Sequence, residues 1–167
     1  YNSVNQLTSG GALVRASIQK FVFGSSHLGK LVATEGWAGA TGSPPPGAFY
    51  RVADNGIRCV RAPCPSTTAA KLNSTIAQSV ATVDFTSTAI AATTTTRDAA
   101  FAALGTHEGV LVSGNPASAR CASGSTSCDT TMVTNEFFLR FRIYKRIGFY
   151  FFLVPFQIGH IDIVGCC

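Results

Sequence analysis

The residues of this 167-residue chain with chemistry to offer are six cysteines, three histidines and one arginine set in a short cysteine loop. Cys59 and Cys64 bracket Val60-Arg61-Ala62-Pro63. Cys121 and Cys128 bracket a loop of small residues, and Cys166 and Cys167 are adjacent at the end. An even count in short pairs reads as disulfides formed in an oxidising compartment. Among the possible pairings, the local bonds 59–64 and 121–128 are favoured. A bond between neighbours is strained, so Cys166 and Cys167 are expected to pair elsewhere or across chains. Zinc is the rival use, but C-x4-C and C-x6-C lack the tight spacing and nearby histidines of a zinc site.

The Cys59–Cys64 loop carries the sharpest specific reading. Arg61 lies two residues after a cysteine, followed by a small residue and then Pro63. This is similar, on its N-terminal side, to the disulfide-braced inhibitor loops of the Bowman–Birk type. Such a loop works by preorganisation: little entropy is lost on binding. Val60, Arg61 and Ala62 would contact the protease, with Arg61 filling an acidic specificity pocket. The ring here is tighter than in those inhibitors. The plainer reading, a staple ending a hairpin, is the expected one.

Catalytic chemistry finds less support. His27, His107 and His160 are scattered in sequence; only His107-Glu108 and His160-x-Asp162 place an acid close enough to orient an imidazole. Nucleophile-elbow, zincin and P-loop motifs are lacking, and the acidic spacing of a calcium loop is missing too. No enzyme activity, cofactor or metal is expected. Trp37, the sole tryptophan, is expected to pack in the core or against a hairpin rather than to serve as a ligand platform.

Composition narrows the class further. Hydrophobic residues make up 46% and charged residues 13%, which excludes intrinsic disorder and suggests a Thr/Ser/Gly-rich surface. The net charge of +5 reflects few acids rather than many bases. Only Arg140, Arg142, Lys145 and Arg146 cluster, so no nucleic-acid partner is expected. The chain opens on Tyr1 without a charged-then-apolar leader, so a signal peptide is expected to have been removed or to lie outside this sequence. Asn73-Ser74-Thr75 is a glycosylation sequon, meaningful only in a eukaryotic source.

Positioning these residues falls to short alternating runs. Strands are expected at 12–23, 29–37, 80–86, 109–113 and 134–144, with Phe137, Leu139, Phe141 and Ile143 on one face of the last and Arg140 and Arg142 on the other. Asn55-Gly56 predicts a tight hairpin turn between strands 50–53 and 57–60. Residues 67–78 read as a short helix or an irregular segment. Residues 97–104 read as a helix capped by Thr96 and stopped at Gly105. The expected fold is mainly β, an antiparallel sandwich or barrel-like sheet of about seven to nine strands, with one short helix at 97–104. Three parts are expected: an N-terminal arm at 1–11, a β-rich domain at 12–146, and an apolar C-terminal tail at 147–167. The clean apolar run of that tail is too short for a membrane span. Phe149, Phe151, Phe152, Leu153 and Phe156 are therefore expected to be covered, against a second copy of the chain.

The order LVATEGWAGAT (31–41), GAFYRVADNGIRCVRAPCPS (47–66), KLNS (71–74), GVLVSGN (109–115) and NEFFLRF (135–141) resembles an uncharacterised domain family of bacterial secreted proteins and lipoproteins. The resemblance covers roughly residues 28–141, and the segment after Phe141 departs from the family pattern. It implies an extracytoplasmic setting and a bond between Cys59 and Cys64, and it carries no activity or site residues. The function expected is a non-enzymatic, secreted structural protein that self-associates through its terminal segments as a homo-oligomer or filament. The alternatives are a secreted serine-protease inhibitor and a monomeric secreted binding domain.

Overall fold

Runs of β-branched and aromatic residues with a period of two build the molecule, and two Ala- and Thr-rich stretches add a strand pair and a helix. The computed structural model describes residues 11–42, 45–86, 90–118, 130–141 and 148–151. Among them are nine strands: β1 (Ala12–Phe23), β2 (Ser26–Gly39), β3 (Ala48–Asp54), β4 (Thr67–Lys71), β5 (Ala77–Val80), β6 (Thr82–Asp84), β7 (Val110–Ser118), β8 (Thr130–Phe141) and β9 (Gly148–Phe151). One helix, α1 (Thr94–Leu104), lies between β6 and β7. The strands form a single sheet in the order β1-β2-β8-β7-β3-β4-β5, with β6 added beside β8 and β9 beside β2. Neighbours are antiparallel except β6 and β8. The fold is thus mainly antiparallel β, as expected. The sheet is open: β1 and β5 end its main path and do not meet, so the barrel-like form is not adopted.

Both faces of the sheet centre are covered. Val52, Phe85, Ile90, Val112, Met132 and Phe137 form the larger cluster, closed over by α1, which lies against β3, β7 and β8. Phe85 meets Phe137 and Phe101 edge-on, at 5.3 and 4.9 Å between ring centroids. Full burial of a side chain such as Phe85 or Phe137 contributes about 1.5–3 kcal/mol. On the opposite face Leu13, Leu111 and Phe138 form a smaller cluster, joined by Trp37, Phe49 and Leu72. The alternation expected in β8 holds for Phe137 and Leu139 against Arg140, but Phe138 on the Arg140 face is equally buried. Opposite Phe141 stands Gly36, and the space of its missing side chain is filled by the Phe141 ring.

Four local expectations are corrected. Residues 57–60 form no strand. Asn55-Gly56 is not a two-residue hairpin turn, since Gly56 has φ +78° while Asn55 stays outside the left-handed region, and such a turn needs positive φ at both. The Asn55 amide instead donates to Ser66 O, so β3 pairs with β4 across the whole cysteine loop. Residues 67–78 are not helical. Thr67 and Ala69 are buried at a spacing of two, and the stretch makes β4, a turn and β5. The helix begins three residues earlier than expected, because Thr93 rather than Thr96 is the cap: its hydroxyl accepts the Thr96 amide. Residues 114–118 continue β7 rather than opening a loop.

From within the expected C-terminal tail, Gly148–Phe151 pair antiparallel with Gly29–Val32 of β2 in the same chain. Phe149 and Phe151 belong to this strand. Phe152, Leu153 and Phe156 lie outside the described residues, as do residues 1–10 and Cys121, Cys128, Cys166 and Cys167. Among the described residues no helix is long and apolar enough to cross a membrane.

Candidate functional site

Two surfaces carry the chemistry singled out above. The first is the loop between β3 and β4. Cys59 and Cys64 are bonded, with their Cα atoms 5.5 Å apart. A frame of polar contacts stands beneath the ring. Arg58 donates to both oxygens of Asp54, at 2.9 and 2.6 Å, and the Gly56 amide donates to Asp54 Oδ1. Asn55 Nδ2 donates to Pro65 O, and the Ile57 amide to Asn55 Oδ1. The Arg58 hydrogen bonds, then the Gly56 amide, hold the Asp54 carboxyl at about 2 against an ordinary 3.8. Val60, Arg61 and Ala62 stand exposed at the tip, in a bend rather than an extended run, and Ala62-Pro63 is a cis peptide.

The second surface was not legible as a site in the sequence. It is a cleft of about 250 Å³ over the smaller cluster. Leu13, Trp37, Leu72 and Leu111 supply its apolar lining. Register brings them together: Leu13 faces Trp37 across β1–β2, and Trp37 faces Arg140 across β2–β8. One ion-pair chain runs along the cleft. Arg15 meets Glu35 at 3.0 Å, Glu35 meets Arg140 at 3.4 Å, and Arg140 meets Glu108 at 2.7 Å. The Arg15 guanidinium also lies 5.9 Å over the Trp37 ring. Arg140 lowers the Glu108 carboxyl below its usual range, by its hydrogen bond first and its charge second, and is itself raised by Glu108.

Local irregularities aim these side chains. β1 and β2 lose register between Arg15 and Ala16, leaving Thr34 as the extra residue; its hydroxyl donates to Arg15 O at 3.2 Å. Such a bulge bends a strand and re-aims its neighbours, here beside the Arg15–Glu35 pair. Glu108 precedes Gly109, whose φ is +69° and where any Cβ would meet Val52 O at 2.2 Å. Only glycine allows the chain to enter β7 at this distance. Glu136 is a fully buried acid. It accepts from the Thr41 amide at 3.0 Å, from the Thr41 hydroxyl and from its own Phe137 amide, and so ties the exit of β2 to β8.

Among the described residues, His27 and His107 do not form a site. His27 is exposed near the tip of the β1–β2 ribbon, and His107 is exposed in the turn before β7, where its neighbour Glu108 is bonded to Arg140. His160 lies outside the described residues. Among the described residues no three of His, Cys, Asp and Glu come together as a metal site would require. Trp37 packs in the smaller cluster, as expected, and also lines the cleft.

Comparison with known families adds the setting. Residues 2–143 match a family described as a domain of unknown function, DUF6748. The chain belongs to the DUF6748 family. The match is wider than the stretch whose motifs resemble a family, since it takes in β1 and the segment before it. β9 falls beyond the DUF6748 match. No curated protein and no solved structure matches the chain.

Proposed function

We propose that this DUF6748 domain is a non-enzymatic, secreted structural protein that self-associates, and that its N-terminal strand is the joining element. The observation that carries this reading is the outer edge of β1. β1 is 12 residues long and ends the main path of the sheet. Among the described residues it pairs with β2 alone. The distal half of the β1–β2 ribbon exposes Ile18, Val22 and Phe23, the last two more than half accessible. A long edge strand with apolar side chains is a template for strand addition. The Cys59–Cys64 bond suits an oxidising compartment.

Sedimentation velocity of the full chain over a concentration series tests the proposal. The native protein is expected to associate, and Val22→Glu with Phe23→Lys to shift it to monomer with an unchanged circular dichroism spectrum. A native chain that stays monomeric at its highest soluble concentration rejects it. A second reading draws on the exposed tip Val60-Arg61-Ala62: a protease inhibitor presenting Arg61. The bend at the tip counts against it, because a substrate-like segment is extended. Trypsin inhibition by the native chain, lost in Arg61→Ala, supports this reading, and a native chain without inhibition ends it.

A further inference from the structure

We propose that the cleft over the smaller cluster is a binding site for a small amphipathic anion, an apolar or aromatic body carrying one carboxylate. The proposal is independent of self-association. Three observations carry it.

The first is the lining. Leu13 and Leu111 are buried beneath it and Trp37 is half-buried in it, so an apolar body finds apolar contact at one depth of the cleft. A space of about 250 Å³ is that of about eight waters at ~30 Å³ each. This suits a single ring or a short aliphatic chain rather than a folded partner.

The second is charge. The cleft is lined by Arg15, Arg51 and Arg140 against Glu35 and Glu108, one positive charge in excess. Four of these five are already committed to the ion-pair chain. Among the described residues Arg51 takes part in none of the ion pairs, and it stands exposed on β3 beside Leu111 of β7. It is the cation left for a ligand, and a guanidinium suits a carboxylate because its fork donates two parallel hydrogen bonds.

The third is preorganisation. Glu35 bridges two arginines from different strands, and the bulge at Thr34 and the close approach at Gly109 fix both ends of the chain. The polar rim is therefore set before a ligand arrives, which lowers the entropic cost of binding.

The only tryptophan of the chain lines the cleft, so its fluorescence reports occupancy directly. The full chain is titrated with phenylacetate, 4-phenylbutyrate and octanoate, and with the corresponding amides. At least one acid is expected to give a saturable change in emission, with its amide at least about tenfold weaker. Arg51→Gln is expected to weaken that acid by a similar factor and to leave its amide unchanged. Arg61→Gln, on the other surface, serves as the control and is expected to change neither. Thermal melting of both variants checks that the fold is kept. No saturable response to any acid, equal affinity for acid and amide, or full affinity in Arg51→Gln overturns the proposal.

Discussion

Asp54 shows how one short pair organises a surface. Its carboxyl is depressed to about 2 by Arg58 and the Gly56 amide. A group whose folded value lies below its unfolded value stabilises above the unfolded value and stops doing so as pH falls through the folded one. The loop frame is therefore expected to hold above pH 3.8 and to loosen between 3.8 and about 2. A carbon-13 titration should give Asp54 a midpoint near 2, and Arg58→Ala should return it towards 3.8. Asn55-Gly56 predicts a hairpin turn. Its backbone angles and its hydrogen bonds to Pro65 and Ser66 make it the base of a cysteine loop instead. At Gly109 the backbone is the constraint. Gly109→Ala meets Val52 O and a positive φ together, and is expected to cost about 2 kcal/mol or more by urea unfolding.

Elements respond to what seals their ends. In sequence the helix reads as starting only after Thr96, because threonine is a weak helix former. The Thr93 hydroxyl, by capping the Thr96 amide, recruits the threonine run into the first turn of α1. Thr93→Ala is expected to cost about 1 kcal/mol, seen as a lower melting temperature, with Thr96→Ala costing less because the capping oxygen stays. The cysteine loop closes only five residues of separation. On a loop-entropy account its removal in Cys59→Ser with Cys64→Ser should cost about 2 kcal/mol while β3 and β4 remain paired. The β1–β2 ribbon was legible because its apolar positions alternate. The bulge at Thr34, which decides where Arg15 and Glu35 meet, leaves no such periodic mark.

At the scale of the whole molecule, the sheet order explains what is covered and what is open. β8 lies between β2 and β7 with aromatic residues packed on both faces, and β1 is left at an edge. β9 belongs to the same sheet, so residues 148–151 are not simply an appendage. Deletion of residues 148–167 uncovers the backbone of β2 at Gly29–Val32, and an uncovered edge invites new pairing. The truncated chain is expected to melt at a lower temperature and to scatter more light than the full chain. An unchanged melting curve would mean that β9 adds nothing to the sheet.

Legible from the residues alone were the class of the fold, the β1–β2 ribbon, the faces of Phe137 and Arg140, the presence of a helix before β7 and the closeness of Cys59 to Cys64. Each is a local matter, set by a period of two, a breaker or a spacing of a few residues. Long-range packing set the rest: the sheet stays open, β3 reaches past the cysteine loop to β4, and Arg15, Glu35, Arg51, Glu108 and Arg140 surround one cleft. Those five residues come from four strands and a turn, far apart along the chain. Strand order and register alone make them neighbours, and neither is written in any one segment.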